Sequence, residues 1–427
     1  MKKSILIIVD SYPPEIRSAA QLMGDMAEEL AKRGYKVYVV ASCTDGKAGG
    51  LSKENGVSVI RTRTLPHHNV NFIMKGISQL VMPWLFIFAA GKYIQEPVEA
   101  TITHSPPLPL AAVGRFMKRI YGAENILNVH DIFPQNAVDL GIMRNPLQVR
   151  FFERMEQKAY KKADLLMVPS ETHKEFLIGK RGVDENKIKV VRHWMNMELF
   201  EKAERTGRYR KKFNLEDKIV FLFAGVLGPS QGLDMIISAA DKLKGEKKIH
   251  FLFAGDGSEK IRLQKLAEEK GLSNVTFTSF VPSGEYPYLV KDCDVGLVTL
   301  TSDNTTPAVP AKIVGYMAGG LPIAAFLHKE SDGLRIVEEA GCGVAAASND
   351  QEAVTRSLEK FAKEEKRFEI YGRNSLKYAR EHFAVERAAD RVESLLSFRA
   401  RLPKISLSAE GRRRNGKRRT QNGSKII

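Results

Sequence analysis

The sequence of 427 residues contains little cysteine, little tryptophan and no long hydrophobic run. Its three cysteines, Cys43, Cys293 and Cys342, are far apart and odd in number. This argues against a disulfide framework and favours a reducing compartment. The most apolar uncharged stretch, residues 76–91, is shorter than the roughly 20 residues that a membrane span needs. Residues 5–9 are too short for the apolar region of a secretory signal, so we expect a cytoplasmic protein.

Acidic residues are fewer than basic ones by 16, and the excess is uneven along the chain. Residues 1–200 carry +7, residues 201–400 carry +1 and residues 401–427 carry +8. The last segment has almost nothing to bury and is predicted to be disordered. It is either a contact for anionic lipid or RNA, or only a solvated extension. The other large share lies in residues 1–200, where a membrane-facing surface explains it better than nucleic acid does, so we expect no nucleic acid among the partners.

Short β-branched runs alternate with amphipathic segments in both halves of the chain. This pattern predicts an α/β protein with two Rossmann-like domains whose parallel sheets face a cleft. The predicted units are an N-terminal domain at 1–197, a polar linker at 198–217, a C-terminal domain at 218–382, a helix at 383–400 that crosses back to the first domain, and the basic tail at 401–427.

Ligands of such folds bind in loops that follow the strands. The loop at 225–234 has glycines at 225, 228 and 232 and leads into a predicted helix. Backbone amides and the helix N-terminus would favour a phosphate or diphosphate there, although a tight turn alone explains the glycines equally well. Lys312 lies just after Pro310, the predicted first helical residue. A cation at a helix start opposes the macrodipole, which indicates either an anionic ligand or a solvated surface lysine.

Two histidines follow neighbouring predicted strands. His130 and Asp131 end one strand, and His104 ends the preceding one. A single histidine at such a position is more often structural, but two favour chemistry in the cleft. No metal site is expected, because Asp292 and Asp294 are interpreted as a loop and a strand entry.

The aromatic stretch Phe72–Tyr93 combines Trp, Phe and Leu with flanking lysines. This composition is typical of a helix lying at an anionic membrane surface, and a buried helix would look similar.

Eight segments together resemble the retaining GT-B glycosyltransferases of family 4, and the resemblance covers nearly all of residues 1–400. They read DSYPPEIRSAAQ, HSPPLP, NVHDIFPQNAVDLG, VPSE, RHWMNMELF, GVLGPSQGLD, AGDGSE and PAKIVGYMAGGLPIAA. The segments with PPEI, HSPP and DIFP are similar to bacterial enzymes of O-antigen, capsule or exopolysaccharide synthesis. Among these, transferases of fucosamine-type amino sugars look most similar.

The resemblance implies metal-independent, retaining transfer of a sugar from a nucleotide-diphosphate donor to a lipid-linked saccharide. The sugar is expected to be an N-acetylated amino sugar and the donor a UDP-sugar. No cofactor is implied beyond this donor substrate. A protein of this kind would lie on the inner face of the cell membrane. Residues 72–93 would touch anionic lipid, and the tail at 401–427 either adds to this contact or does not. The alternatives are a nucleotide-sugar epimerase or hydrolase of similar fold, and a non-enzymatic binding protein that acts through the tail.

Carried over by position, the resemblance assigns His130 and Asp131 to the catalytic loop and three residues, Glu15, Arg17 and His104, to the acceptor side. The residues that it places around the donor are Gly225, Leu227, Gly228, Gln231, Gly255, Asp256, Gly257, Val281, Glu285, Pro310 and Lys312. The two glutamates common in the family are replaced by Pro307 and Gly315, and a common basic residue is replaced by Gln231, so Lys312 is left as the main cation.

Overall fold

The structure is a computed structural model that describes residues 3–43, 49–67, 70 and 72–400, without the side chains of Phe72 and of 397–400. The predicted tail at 401–427 lies outside the described residues. In the first half the elements are β1 (Ser4–Ile8), α1 (Ser18–Lys32), β2 (Lys36–Cys43), β3 (Gly50–Glu54), β4 (Val57–Arg63), α2 (Phe72–Tyr93), β5 (Ala100–Ser105), α3 (Ala111–Tyr121), β6 (Glu124–Val129), α4 (Gln135–Asp139), α5 (Pro146–Lys162), β7 (Leu165–Val168), α6 (Glu171–Arg181) and β8 (Ile188–Val190).

The first sheet has the strand order β3-β4-β2-β1-β5-β6-β7-β8, and only β3 runs antiparallel to its neighbour. Strand β1 is buried along its whole length, as expected for a parallel strand that is covered by helices on both faces. The edge strand β3 was not predicted, because its residues GLSKE are mostly polar and exposed. It is joined to β4 by Asn55 and Gly56, which both have positive φ, a tight hairpin turn.

The second half repeats the α/β pattern. Its elements are α7 (Glu198–Glu201), α8 (Arg208–Phe213), β9 (Ile219–Ala224), α9 (Asp234–Lys242), β10 (Ile249–Ala254), α10 (Lys260–Glu269), β11 (Val275–Thr278), α11 (Tyr286–Asp292), β12 (Val295–Thr299), α12 (Ala311–Ala318), β13 (Ile323–Leu327), α13 (Asp332–Ala340), β14 (Gly343–Ala347), α14 (Gln351–Lys363), α15 (Phe368–His382) and α16 (Val385–Ala400). The strand order is β11-β10-β9-β12-β13-β14, all parallel, which is the Rossmann order.

The chain passes between the two halves twice, and the two passages run side by side. The Met195 N–H donates to the Phe383 carbonyl at 2.8 Å, and the Val385 N–H donates to the Met195 carbonyl at 3.1 Å. Helix α16 then packs on α1 of the first half, where Arg33 pairs with Asp390 at 2.7 Å. The last helix therefore ties the two domains together.

The segment predicted as a polar linker contains α7 and α8. The Asp292 carboxylate accepts bonds from the Gly207 and Tyr209 N–H groups, at 2.7 and 3.0 Å, and so holds the start of α8. Asp294 pairs with the buried guanidinium of Arg210. Both carboxylates thus have structural partners. The sequence did not predict these helices, because their composition is polar and α8 is held by residues some 80 positions away.

Helix α2 lies on the first sheet and also carries an exposed apolar face. Met82, Phe86 and Ala90 are buried in a core cluster with β1, β2 and β4 residues. Within the described residues, one helical stretch, Ile73–Tyr93, is long and apolar enough to cross a membrane, and 33% of an 18-residue apolar part of it is buried in the fold. The sequence predicted that the uncharged stretch at 76–91 is too short to span a membrane. The helix is longer than this stretch because it continues on both sides of it.

Candidate active site

A pocket opens in the cleft between the two sheets, and three parts of the chain form it. Its lining residues are Ser18, Gln21, Leu22 and His130 of the first domain, His193, Trp194 and Met195 of the passage between domains, and Ala311 and Val314 of α12. The cleft expected from the sequence is therefore present, with His130 on one wall and the helix that carries Lys312 on the other.

Three imidazole rings meet on the first-domain wall of this pocket. The His130 ring stacks on His193, with centroids 4.3 Å apart and an interplanar angle of 17°, and tilts against His104 at 5.2 Å. The Asn128 side chain lies 3.3 Å from His104 Nδ1 and donates to it, which leaves the proton of a neutral ring on Nε2.

Burial keeps these rings neutral. It lowers the pKa of His130, with His173 acting in the same direction and Asp131 opposing it. It also places the pKa of His104 and of His193 well below the usual value, and the neighbouring imidazoles add to this effect. A neutral imidazole offers one N–H donor and one nitrogen acceptor, which suits hydroxyl and amide groups of a ligand.

A polar contact joins the two domains beside the histidines. The Asp332 carboxylate, at the start of α13, accepts from the Ser170 and Thr172 hydroxyls, the latter at 2.6 Å, and lies 3.8 Å from His173 Nδ1. Burial raises the pKa of Asp332, but these partners outweigh burial and the pKa is lowered. A second contact joins Asp139 and Thr305 at 2.7 Å. Both hold the cleft in its present width.

We predict that Asp332→Ala destabilises the protein, since it leaves the buried Ser170 hydroxyl and His173 ring without this partner. Each such group costs about 1–3 kcal/mol, so the melting temperature measured by circular dichroism should fall by several degrees. Glu352→Ala is the control, because Glu352 pairs with Arg356 on the exposed surface and should change stability by less than about 0.5 kcal/mol. Equal melting temperatures for the two variants would contradict the role given to Asp332.

On the opposite wall, Lys312 lies beneath the glycine loop. Its Nζ donates to Gln231 Oε1 at 2.7 Å and lies 4.6 Å from the centroid of the Phe223 ring. Burial lowers the pKa of Lys312 to about 8. Within the part of the chain that the structure describes, no carboxylate pairs with it. A Cβ at Gly225 would lie 2.8 Å from Lys312 Cε, so the lysine side chain packs closely against this glycine.

Two loops pack backbone to backbone around that lysine. A Cβ at Gly255 would lie 1.8 Å from the Gly225 carbonyl oxygen, and a Cβ at Gly257 would lie 2.3 Å from the Leu227 oxygen. The Leu227 N–H donates to the Asp256 carbonyl at 2.9 Å. The residues assigned to the donor at 225–228 and 255–257 thus form one continuous surface at the carboxyl ends of β9 and β10.

The other donor residues lie around this surface. The Glu285 carboxylate, at the start of α11, pairs with Arg208 and accepts from the Tyr209 hydroxyl at 3.1 Å. The Asp256 carboxylate pairs with Lys260 at 2.5 Å. Val281 is partly buried against the second-domain core. The predicted helix start is one residue early, since α12 begins at Ala311 and Pro310 precedes it in extended conformation.

The acceptor-side residues lie in different environments. His104 is buried beside His130, whereas Arg17 immediately precedes α1 and lies 3.9 Å from the Glu15 carboxylate, a loose ion pair. Asp131 follows His130 directly at the start of the loop between β6 and α4, and it is exposed. The structure thus brings His104 and His130 together but leaves the Asp131 side chain outside the histidine cluster.

Gly315, one of the two positions where the resembled family has a glutamate, cannot hold a side chain in this fold. Its Cβ would lie 2.6 Å from the hydroxyl of Tyr286 on the neighbouring α11. The tyrosine therefore occupies the space that a longer residue at 315 would need. The described residues contain no group of three or more His, Cys, Asp or Glu side chains that could hold a metal ion.

His193 and His173 were missed by the sequence reasoning. His193 lies within the segment RHWMNMELF that supports the family resemblance, but it is 63 positions from His130 and no local pattern pairs the two. Its only sequence signal is its position at the end of a predicted strand, which here leads directly into the passage between domains.

Comparison with known families agrees with this architecture. Residues 19–194 match the family described as "Glycosyl transferase 4-like domain", and residues 206–378 match "Glycosyl transferases group 1". The chain therefore carries the two domains of a GT-B glycosyltransferase, one on each side of the cleft. The predicted fold class, two Rossmann-like domains with parallel sheets, is confirmed.

Individual relatives are distant but cover most of the chain. "Probable glycosyltransferase WbjE" of Pseudomonas aeruginosa is 27% identical over 297 residues, which are 69% of this chain and 74% of that protein. "Putative colanic acid biosynthesis glycosyl transferase WcaI" of Escherichia coli is 24% identical over 335 residues, 74% of this chain and 81% of that one. The structure of Anabaena HepE in complex with UDP-glucose has a TM-score of 0.69 at 18% identity and covers 92% of this chain and 99% of its own.

Proposed function

We propose that this protein is a retaining, metal-independent glycosyltransferase that moves an N-acetylated amino sugar from a UDP-sugar to a lipid-linked saccharide during synthesis of a bacterial surface polysaccharide. The names of WbjE and WcaI and the nucleotide complex of HepE support the reaction class. The fucosamine-type resemblance of the sequence supports the choice of sugar.

One observation carries the proposal, and it is the position of Lys312. A largely buried lysine that contacts an amide and an aromatic ring, and that pairs with no carboxylate among the described residues, is costly to the fold unless an anion completes its environment. The glycines at 255 and 257 let their loop pack against the backbone of the glycine loop, which holds residues 225–228 beside this lysine. The Gly225 and Leu227 amides already donate to backbone carbonyls, so the other amides of this loop are the ones that would face the anion. A diphosphate supplies the charge and the number of acceptor oxygens that this arrangement lacks.

The chemistry follows from the two walls of the cleft. The bond between the sugar C1 and the diphosphate oxygen breaks, and a bond from C1 to the acceptor hydroxyl oxygen forms on the same face. The hydroxyl proton goes to the departing diphosphate, so the products are the glycosylated acceptor and UDP. Lys312 stabilises the negative charge that develops on the diphosphate, together with the loop amides other than those of Gly225 and Leu227, which already donate to backbone carbonyls. The neutral His130 ring positions the sugar or acceptor without repelling the positive charge that develops at C1.

The test of this function is release of UDP from a panel of UDP-sugars, with and without a lipid-linked saccharide acceptor. Acceptor-dependent release supports the proposal. Release without acceptor, or conversion of the sugar to an epimer, would support the hydrolase or epimerase alternative instead.

We further propose that helices α2 and α3 place the protein on an anionic bilayer at the cytoplasmic face of the cell membrane. Trp84 and Phe88 of α2 are 73% and 77% exposed, and Ile120 of the adjacent α3 is 56% exposed. The two helices contain five basic residues and no acidic one. Lys118 of α3 pairs with Asp164 at 2.6 Å, which leaves the other four basic residues beside the exposed apolar face. An exposed apolar face with basic residues beside it is what an interfacial helix needs, and a protein partner would not require such a one-sided charge.

We predict that the double variant Trp84→Glu, Phe88→Glu loses binding to vesicles that contain phosphatidylglycerol. Burying one such side chain contributes about 1.5–3 kcal/mol, so the partition coefficient should fall at least about tenfold. Sedimentation of the full chain with vesicles measures this. Ile261→Glu is the matched control, because Ile261 is 81% exposed on α10 of the other domain. Unchanged binding of the double variant would rule out the α2 surface, and loss of binding only on removal of 401–427 would assign it to the tail.

A further inference from the structure

The pocket beside His130 has walls that are mainly apolar. Leu22 of α1, Met195 of the passage between domains and Val314 of α12 face it from three sides. The space that a water-sized group can enter is about 60 Å³, so the pocket takes one small substituent of a sugar and not a whole nucleotide sugar.

One buried polar group in this pocket has no partner. His193 is 4% exposed, and neither of its ring nitrogens forms a hydrogen bond with any described residue. Buried polar groups normally form hydrogen bonds, so two imidazole nitrogens without a partner in a cleft indicate a ligand group that bonds to them. The ring itself is held in place by its stack on His130.

A second polar side chain in the pocket is oriented by the fold. Gln21 Nε2 donates to Asp25 Oδ1 at 2.6 Å, and this bond leaves the Gln21 amide oxygen as the acceptor. Asp25 is itself buried and also accepts from the Asn196 N–H at 3.0 Å, which fixes its position. The pocket therefore combines one imidazole that can donate, one amide oxygen that accepts, and apolar walls.

We propose that this pocket selects the donor by binding the acetamido group of an N-acetylated sugar, an inference that rests on the proposed function. His193 donates to the acetamido carbonyl oxygen, Gln21 accepts from the acetamido N–H, and the methyl group packs against Leu22 and Val314. A hydroxyl group at the same position would satisfy His193 but leave the apolar walls unfilled.

The position of the pocket agrees with this assignment. Ala311 and Val314, which line it, flank Lys312 on the same helix, and each helical residue advances by about 1.5 Å. A diphosphate at Lys312 and a sugar substituent in the pocket would therefore both lie against the first turn of α12. Burial lowers the pKa of His193 well below its usual value, so the ring is neutral and retains one N–H donor and one acceptor nitrogen.

The test compares matched donors by isothermal titration calorimetry with the full chain. The probes are UDP, UDP-N-acetylglucosamine with UDP-glucose, and UDP-N-acetylgalactosamine with UDP-galactose. We expect wild type to prefer the N-acetylated member of at least one pair by about tenfold or more. In His193→Ala this preference should fall below about threefold, with the Kd of UDP unchanged. His193→Asn, which keeps a donor and an acceptor, should retain part of the preference, and the control His382→Ala should retain all of it.

The outcomes separate the inference from the function that it rests on. Wild type that binds UDP but shows no preference in either pair, or His193→Ala that keeps the full preference, overturns the acetamido pocket and leaves the transferase proposal intact. Folded wild type that binds neither UDP nor any UDP-sugar overturns the proposed function first. If His193→Ala does not fold, His193→Asn and Gln21→Ala are measured instead. An unchanged preference for the N-acetylated donor in either folded variant then contradicts the inference.

Discussion

Lys312→Ala should reduce kcat/KM for glycosyl transfer by about 10²–10³-fold, the loss that follows removal of one preorganised group facing a developing charge. The expected loss is large because Lys312 is the cation next to the glycine loop, and Gln231 accepts from it instead of adding a second charge. UDP should also bind more weakly to the variant. The matched control is Lys329→Ala, since the Lys329 side chain is 85% exposed on a loop of the same domain.

The pH dependence gives an independent check on this lysine. Burial lowers the pKa of Lys312 to about 8 from its ordinary value of 10.5, so the free enzyme should lose the cation, and kcat/KM should fall, as the pH rises through about 8. Between these two values the unfolded chain binds more protons than the folded chain. The stability contributed at this position therefore rises with pH over that window, and the buried charge is destabilising at neutral pH.

Because the buried charge is destabilising at neutral pH, Lys312→Met should have a distinctive outcome. This variant removes the charge and keeps most of the apolar length, so its melting temperature should equal or exceed that of wild type while activity is lost. A fall in both activity and melting temperature would show instead that Lys312 has a structural role. Full activity in either variant would remove it from the site.

His130→Ala should lower kcat by about 10²–10⁴-fold, the range typical for a positioned catalytic side chain. His130 lines the cleft pocket and lies between His104 and His193. His382→Ala controls for loss of a histidine elsewhere, because His382 packs on Tyr378 outside the cleft. His130→Ala with wild-type kcat would exclude a catalytic role.

The acid side of the pH profile should report the same histidine. The neutral ring is the active form, and burial lowers the pKa of His130 below its usual 6.5. Activity should therefore stay level as the pH falls to about 6.5 and decline only below it. In His130→Gln, which cannot titrate, the residual activity should lose this acid limb.

The fold was predictable because buried parallel strands have a plain sequence signal. Strands such as β1 and β9 are continuous apolar runs between amphipathic helices, and the glycines at 225, 255 and 257 mark the loops that must approach one another closely. The edge strand β3 and the helix α8 lack that signal. One is stabilised by its neighbour in the sheet and the other by Asp292, so only long-range contacts reveal them.

The site was predictable only in part, for the same physical reason. Lys312 conflicts with the dipole of its own helix, and His130 ends a strand, so both stand out locally. The pairing of His130 with His193, and of Ser170 with Asp332, depends on how two domains close on one another. The exclusion of a side chain at Gly315 by Tyr286 likewise requires the packing of α11 against α12.

The most direct measurement is transfer itself, with purified protein, a panel of UDP-sugars and a lipid-linked saccharide from a bacterial membrane. UDP release and the glycosylated lipid are quantified together, and the anomeric configuration of the new bond is read by nuclear magnetic resonance. We predict that one N-acetylated donor gives UDP and product in equal amounts, only with acceptor present and with the donor's configuration retained. Sugar released or epimerised without acceptor, or no turnover of any donor by folded protein, would contradict a glycosyltransferase.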